Sequence, residues 1–163
     1  MTGSLNYGRE RGVTLIEVMV AVFITAIGLL GAAALQLNAL KYTDSARTTS
    51  QATFIAYDIL DRIRANADSS NLASYAMASI SDAPSSAGNI LQQDKMDFAE
   101  NVSNLSEGAG TITINGASVT VTITWSESRA NKAAGGGDSG EQGQISITSK
   151  VAVPPAGPSN EQS

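Results

Sequence analysis

Residues 12–40 read GVTLIEVMVAVFITAIGLLGAAALQLNAL, and from Val13 to Leu40 the only charged side chain is Glu17. An α-helix rises about 1.5 Å per residue, so roughly 20 apolar residues cross the hydrocarbon core of a bilayer. Val18 to Leu35 supplies 18 uncharged, mostly apolar residues, and Val13 to Ile16 adds to them. The stretch is long enough to span a membrane. The preceding leader, MTGSLNYGRERG, is polar and sets Arg9 and Arg11 against Glu10. Arginines ahead of the span favour a cytoplasmic N-terminus, with everything after Gln36 on the far side.

Three readings compete for such an N-terminus. One is a secretory signal peptide cut after the small-residue run Ala32-Ala33-Ala34. A second is a plain uncleaved anchor. The third is a signal cut before the apolar stretch. Glu17 separates them, because a carboxylate inside an apolar helix costs about 2.5–3.5 kcal/mol on insertion scales. Neither of the first two gains anything from that cost. If the bond after Gly12 is cut, Val13 becomes a free, positively charged N-terminus one helical turn from Glu17. In a filament, Glu17 can pair instead with the Val13 amine of a neighbouring subunit and set the axial register. The bland alternative is a stray glutamate reaching for the interface.

The string Gly12-Val13-Thr14-Leu15-Ile16-Glu17-Val18 resembles the prepilin peptidase motif of type IV pilins and type II secretion pseudopilins. The resemblance implies that Gly12 is the last leader residue and that Val13 is the new N-terminus, N-methylated by the same peptidase. It departs from the family's usual Phe at the position of Val13. It also lacks the helix-kinking proline of many major pilins, and carries Gly28 and Gly31 instead. Gly28 and Ala32 form a small-xxx-small pair suited to close helix packing, although small residues are common in membrane helices generally.

The helix is expected to run on to about Ala65, since no proline precedes Pro84 and no glycine lies between Gly31 and Gly88. From Ala52 the apolar residues fall on one face: Ala52, Ile55, Ala56, Ile59, Leu60, Ile63 and Ala67. That is the spacing of an amphipathic helix. Asp58 with Arg62, and Asp61 with Arg64, are spaced for exposed ion pairs worth a few tenths of a kcal/mol each. The string Tyr57-Asp58-Ile59-Leu60-Asp61-Arg62-Ile63-Arg64-Ala65-Asn66 is similar to a segment of the minor pilin family called PilV, or type IV pilus modification protein, as is Gly28 to Gln36. That resemblance implies a subunit contact at Arg62, Arg64 and Asn66, or a role in holding the following loop. On charge pattern alone the string also reads as a solvated helix end.

Beyond the helix, residues 67–108 show no clear periodicity, and a short helix is expected around Asp94 to Leu105. Thr111 to Ile114, then Asn115-Gly116, then Ala117 to Trp125 is a hairpin pattern, with Asn-Gly suited to a type I′ turn. Apolar residues alternate with threonines on both arms, so each strand has an apolar face to pack on the Ala52–Ile63 side of the helix. Trp125 is expected in the core or on the sheet surface. Asn131 to Gly143 reads as a glycine-rich loop, too flexible for core. Gln144 to Val153 reads as a third strand, and the tail from Pro154 as disordered. The expected class is α+β and pilin-like: a long N-terminal helix, membrane-spanning in its first half, packed on an antiparallel sheet of at least three strands. Its expected divisions are a leader (1–12), an apolar assembly segment (13–40), an amphipathic helix half (41–66), a globular region (67–153) and a tail (154–163).

Composition narrows the chemistry. The 163-residue chain contains no cysteine and no histidine, which excludes disulfides, thiolate zinc sites and Cys or His nucleophiles. Removing residues 1–12 takes two of the 10 basic and one of the 15 acidic residues, leaving a net charge of −6. An acidic domain is a poor partner for nucleic acid, and no direct binding is expected. The glycine-rich loop lacks the GK[ST] ending of a phosphate loop. Asp138 and Glu141 alone do not make a calcium site. No cofactor, metal or enzyme activity is expected; the resemblance implies that the chain is instead a substrate of the prepilin peptidase.

The resemblance implies a minor pilin that helps initiate or prime pilus assembly and supports attachment and twitching motility. It would wait in the bacterial inner membrane with a periplasmic C-terminal domain, then enter the pilus. The implied partners are the prepilin peptidase, other minor pilins, the major pilin and a pilus-tip adhesin. Two alternatives stand beside it. A minor pseudopilin of type II secretion would be separated by neighbouring genes. A non-polymerising, membrane-anchored binding domain would tolerate Glu17→Ala.

Overall fold

A computed structural model of the chain describes residues 12–127 and 141–152. Its elements run α1 (Leu15–Asn66), two 3₁₀ turns (Leu72–Tyr75 and Ile80–Asp82), α2 (Ile90–Ser103), β1 (Ala109–Asn115), β2 (Ser118–Ser126) and β3 (Gln142–Lys150). The chain divides into two compact units after Asn38, and α1 contributes to both. The leader up to Arg11, most of the glycine-rich loop (128–140) and the tail from Val153 lie outside the described residues.

In the first unit α1 is long and apolar enough to cross a membrane. Its apolar side chains, among them Val18, Phe23 and Leu30, are exposed. The hydroxyl of Thr25 donates to the Ala21 carbonyl at 2.8 Å, which satisfies a polar group that lipid cannot. The same bonding carries α1 through the hydroxyl-rich stretch Thr43 to Thr53. There Thr43, Thr48, Thr49, Ser50 and Thr53 each donate to the carbonyl four residues back. Their hydroxyls are thus satisfied within the helix, although such side chains also compete for backbone groups in caps and turns.

The second unit is an α+β fold. The amphipathic stripe Ala52, Ile55, Ala56, Ile59, Leu60 and Ile63 is buried. It shares one core with Ile112 of β1 and with Val119, Val121, Ile123 and Trp125 of β2. The sheet is antiparallel in the order β1-β2-β3. Threonines occupy the alternate positions of β2, and Thr120 and Thr122 pair through their hydroxyls with Thr148 (2.8 Å) and Ser146 (3.0 Å) of β3.

Three local expectations need correction. The hairpin turn is centred on Gly116-Ala117, not on Asn115-Gly116, because Asn115 pairs with Ser118. Gly116 has φ 57°, while the only described non-glycine residue with positive φ is Glu107. One glycine at the first central position is the type II′ pattern. The second helix begins at Ile90, four residues before the expected start. Asn89 caps it by accepting from the Gln92 amide at 2.9 Å, and its buried face is Asp94, Phe98 and Val102. A carboxylate at the first core position hid that face from a reading of apolar spacing.

The third correction concerns Gly143, expected in the loop but placed in β3 opposite Trp125. A Cβ there would lie 2.2 Å from Trp125 Cε2 and 2.4 Å from Nε1, so the strand touches the indole through bare backbone. Trp125 is 2% exposed, and the ring has nowhere to retreat. Gly143→Ala should cost about 1–3 kcal/mol of stability as overpacking, read by thermal unfolding. An unchanged midpoint would mean that β3 is not seated on the ring.

The 67–108 region, opaque in the sequence, supplies Leu72, Tyr75, Met77, Phe98, Val102 and Leu105 to the core. Met77 also bridges Ile112, with N···O distances of 2.9 and 2.8 Å, and so closes part of the outer edge of β1.

Candidate functional site

Gly12, Val13 and Thr14 precede α1 as exposed, non-helical residues. The Glu17 amide donates to the Thr14 carbonyl at 3.1 Å, and its contact with Thr14 Oγ1 is 3.4 Å. Thr14 is thus the cap residue and Glu17 the third residue of the helix. A helix start leaves its first amides unpartnered and carries partial positive charge, which favours a carboxylate in the first turn. The cap made by Thr14 is what sequence reasoning missed. The Thr-x-x-Glu spacing of a capping box was there to find it. Cleavage before Val13 would leave a new amine two residues ahead of the helix start.

The other sequence-derived positions, Arg62, Arg64 and Asn66, sit in the last two turns of α1. Arg62 Nε donates to Asp58 Oδ2 at 2.8 Å, and Nη1 reaches Asp97 Oδ2 at 2.6 Å and Asp94 Oδ1 at 3.4 Å. Asn66 Nδ2 donates to Asp94 Oδ2 at 2.9 Å, as does the Tyr75 hydroxyl at 2.8 Å. Asp94 is 1% exposed, and its carboxylate joins α1, the first 3₁₀ turn and α2. Arg64 pairs with Asp61 and donates to Ser149 Oγ at the end of β3. Arg62 and Asn66 therefore hold this chain's own α2, and Arg64 its own β3.

Charge sustains the cluster. Burial alone would lower the pKa of Arg62, but hydrogen bonds to Asp97 and Asp94 and the charges of Asp58 and Asp97 more than offset it, and the pKa is raised. Burial, followed by the hydrogen bond to Asp94 and its charge, pushes the Tyr75 phenol up. A phenol whose folded pKa exceeds its ordinary value of 10.0 contributes stability that is complete below that value and is lost as pH rises through the folded value. Alkaline unfolding above roughly pH 10 should therefore be shallower in Tyr75→Phe than in the parent. Identical pH slopes would show that Tyr75 titrates freely. The loop after α1 is tied separately. Asp68 accepts from Ser70 N at 2.7 Å, Ser70 Oγ at 2.6 Å and Asn71 N at 3.0 Å, and these bonds hold its carboxyl below its ordinary value.

Among the described residues no group of three or more His, Cys, Asp or Glu side chains is arranged to hold a metal ion.

Residues 7–33 match the model of the Prokaryotic N-terminal methylation motif. The match brackets Gly12, Val13 and Glu17 and runs into the membrane-length part of α1. This is a type IV pilin-like signal, and it supports a type IV pilin or pseudopilin in general. It marks the chain as a substrate of prepilin peptidase and, with the apolar helix, supports membrane anchoring before assembly. No curated protein and no solved structure matches the chain.

Proposed function

We propose that the protein is a minor pilin of a type IV pilus, of the PilV type, which helps initiate pilus assembly and supports attachment and twitching motility. The observation that carries this reading is a capped helix start, Thr14 to Glu17, placed two residues after Gly12 and at the head of an exposed apolar helix. The peptidase cuts between Gly12 and Val13 and methylates Val13. Glu17 then pairs with the terminal amine of a neighbour. The second unit waits in the periplasm and later lies in the pilus. There it meets other minor pilins, the major pilin and a tip adhesin.

PilV is favoured over a pseudopilin by the likeness of Asp58 to Asn66 to that family. Of Arg62, Arg64 and Asn66, Arg64 is the exposed one, with its side chain 41% accessible, and it is the one of the three we assign to a subunit contact. Mass spectrometry of the N-terminus from cells tests the reading. The expected chain begins at N-methylated Val13. A chain beginning at Met1 or near Gln36 would overturn it.

A further inference from the structure

The two edges of the sheet are finished differently. β1 is bridged at Ile112 by Met77 and overlain by the 3₁₀ turns and α2. β3 pairs with β2 along one side, in nine consecutive register pairs without a bulge, and no described strand pairs with its other side. An edge strand presents alternate unpaired N–H and C=O groups, and soluble proteins blunt such edges with charges, prolines or bulges. From Gln142 to Ser149 β3 has no charged residue and no proline; Lys150 is its only charge. The apolar layer beneath this edge is also incomplete. Ile145 and Ile147 pack against the core but are only half-buried, whereas their β2 partners Ile123 and Val121 are fully buried.

We propose that the edge of β3 left unpaired by the described strands receives a fourth strand, an extended segment of a neighbouring pilin-like subunit with apolar residues at alternate positions. The proposal rests on the reading of the chain as an assembling pilin. Backbone groups along β3 supply the ladder at the usual ~4.8 Å spacing, and apolar residues on the inner side of the incoming strand finish the cover over Ile145 and Ile147. The chain's own segments are poor candidates on chemistry. Residues 153–163 contain Pro154, Pro155 and Pro158, which have no N–H to donate. Residues 128–140 contain Gly135-Gly136-Gly137 and no β-branched or aromatic side chain to lay on the isoleucines.

A photo-crosslinking residue tests this in cells that express the full chain with its assembly system. It is placed singly at Ser146 or Thr148, exposed on β3, and as a control at Thr113, exposed on β1. The β3 positions should give adducts with another chain that carries a pilin-type leader, mapped to an extended segment, and Thr113 should give none. Equal adducts at Thr113 would overturn the proposal. So would a lack of adducts at β3 in chains that begin at Val13 and enter filaments, and that result would leave the pilin reading intact. A chain that begins elsewhere would remove the pilin reading and, with it, the partner named here.

Discussion

Asp94→Ala is expected to destabilise the second unit by about 2–4 kcal/mol, the cost of leaving buried donors unsatisfied. The carboxylate is the shared acceptor for Tyr75 Oη and Asn66 Nδ2 and lies 3.4 Å from Arg62 Nη1. Without it the buried Tyr75 hydroxyl has no acceptor, and Asn66 loses the bond that ties the end of α1 to α2. Arg62 suffers less, because Asp58 and Asp97 still hold it at 2.8 and 2.6 Å. For a domain of this size the loss corresponds to a fall in melting temperature of roughly 10 °C or more. Thermal unfolding of the detergent-solubilised full chain can be followed through its single tryptophan, Trp125. Asp97→Ala is the comparison. Asp97 is partly exposed and binds the rim of the cluster, so its removal should cost no more than about 1 kcal/mol. Equal effects from the two substitutions would mean that water reaches Asp94 and that the cluster is an ordinary surface network.

The second large effect is on assembly rather than stability. Glu17→Ala removes a charge that costs about 2.5–3.5 kcal/mol to place in a membrane helix, so insertion becomes easier, not harder. The domain should melt unchanged, since Glu17 is exposed and absent from the core. Yet incorporation into filaments should be lost, because no carboxylate remains to receive a neighbour's Val13 amine. Immunoblots of sheared filaments and of membranes separate these outcomes. Thr14→Ala provides the graded control. It removes one capping contact worth about 1 kcal/mol and leaves Glu17 in place, so filaments should persist. Full incorporation of Glu17→Ala would show that no such ion pair sets the register.

The two experiments fall on residues of very different legibility. Glu17 stands alone in an apolar run, and the cost of a lone charge in lipid is a local matter that needs no fold to evaluate. Asp94 looked like any surface aspartate beside Lys95 and Asp97. Its partners lie 19 to 32 residues away in sequence, beyond the reach of spacing or periodicity. For the same reason the bonds of Arg62 and Asn66 to Asp94 of α2 were not legible; the resemblance offered Arg62, Arg64 and Asn66 only as a subunit contact or as a hold on the following loop. The ion pairs Asp58–Arg62 and Asp61–Arg64 were legible, being three or four residues apart on one helix, and both are present.

By itself the sequence determined the long helix, its membrane-length first part, the face that packs and the three antiparallel strands. Helical and strand periodicity, lipid solvation and the lack of helix breakers all act on neighbours along the chain. Tertiary structure alone decided the rest. It drew α2 back to Ile90 around a buried carboxylate and brought Met77 onto the edge of β1. It also pressed Gly143 against the Trp125 ring and moved the hairpin turn by one residue, to Gly116-Ala117. Each of these follows from contacts between segments distant in sequence or from strand register, which is set by what the opposite face must bury.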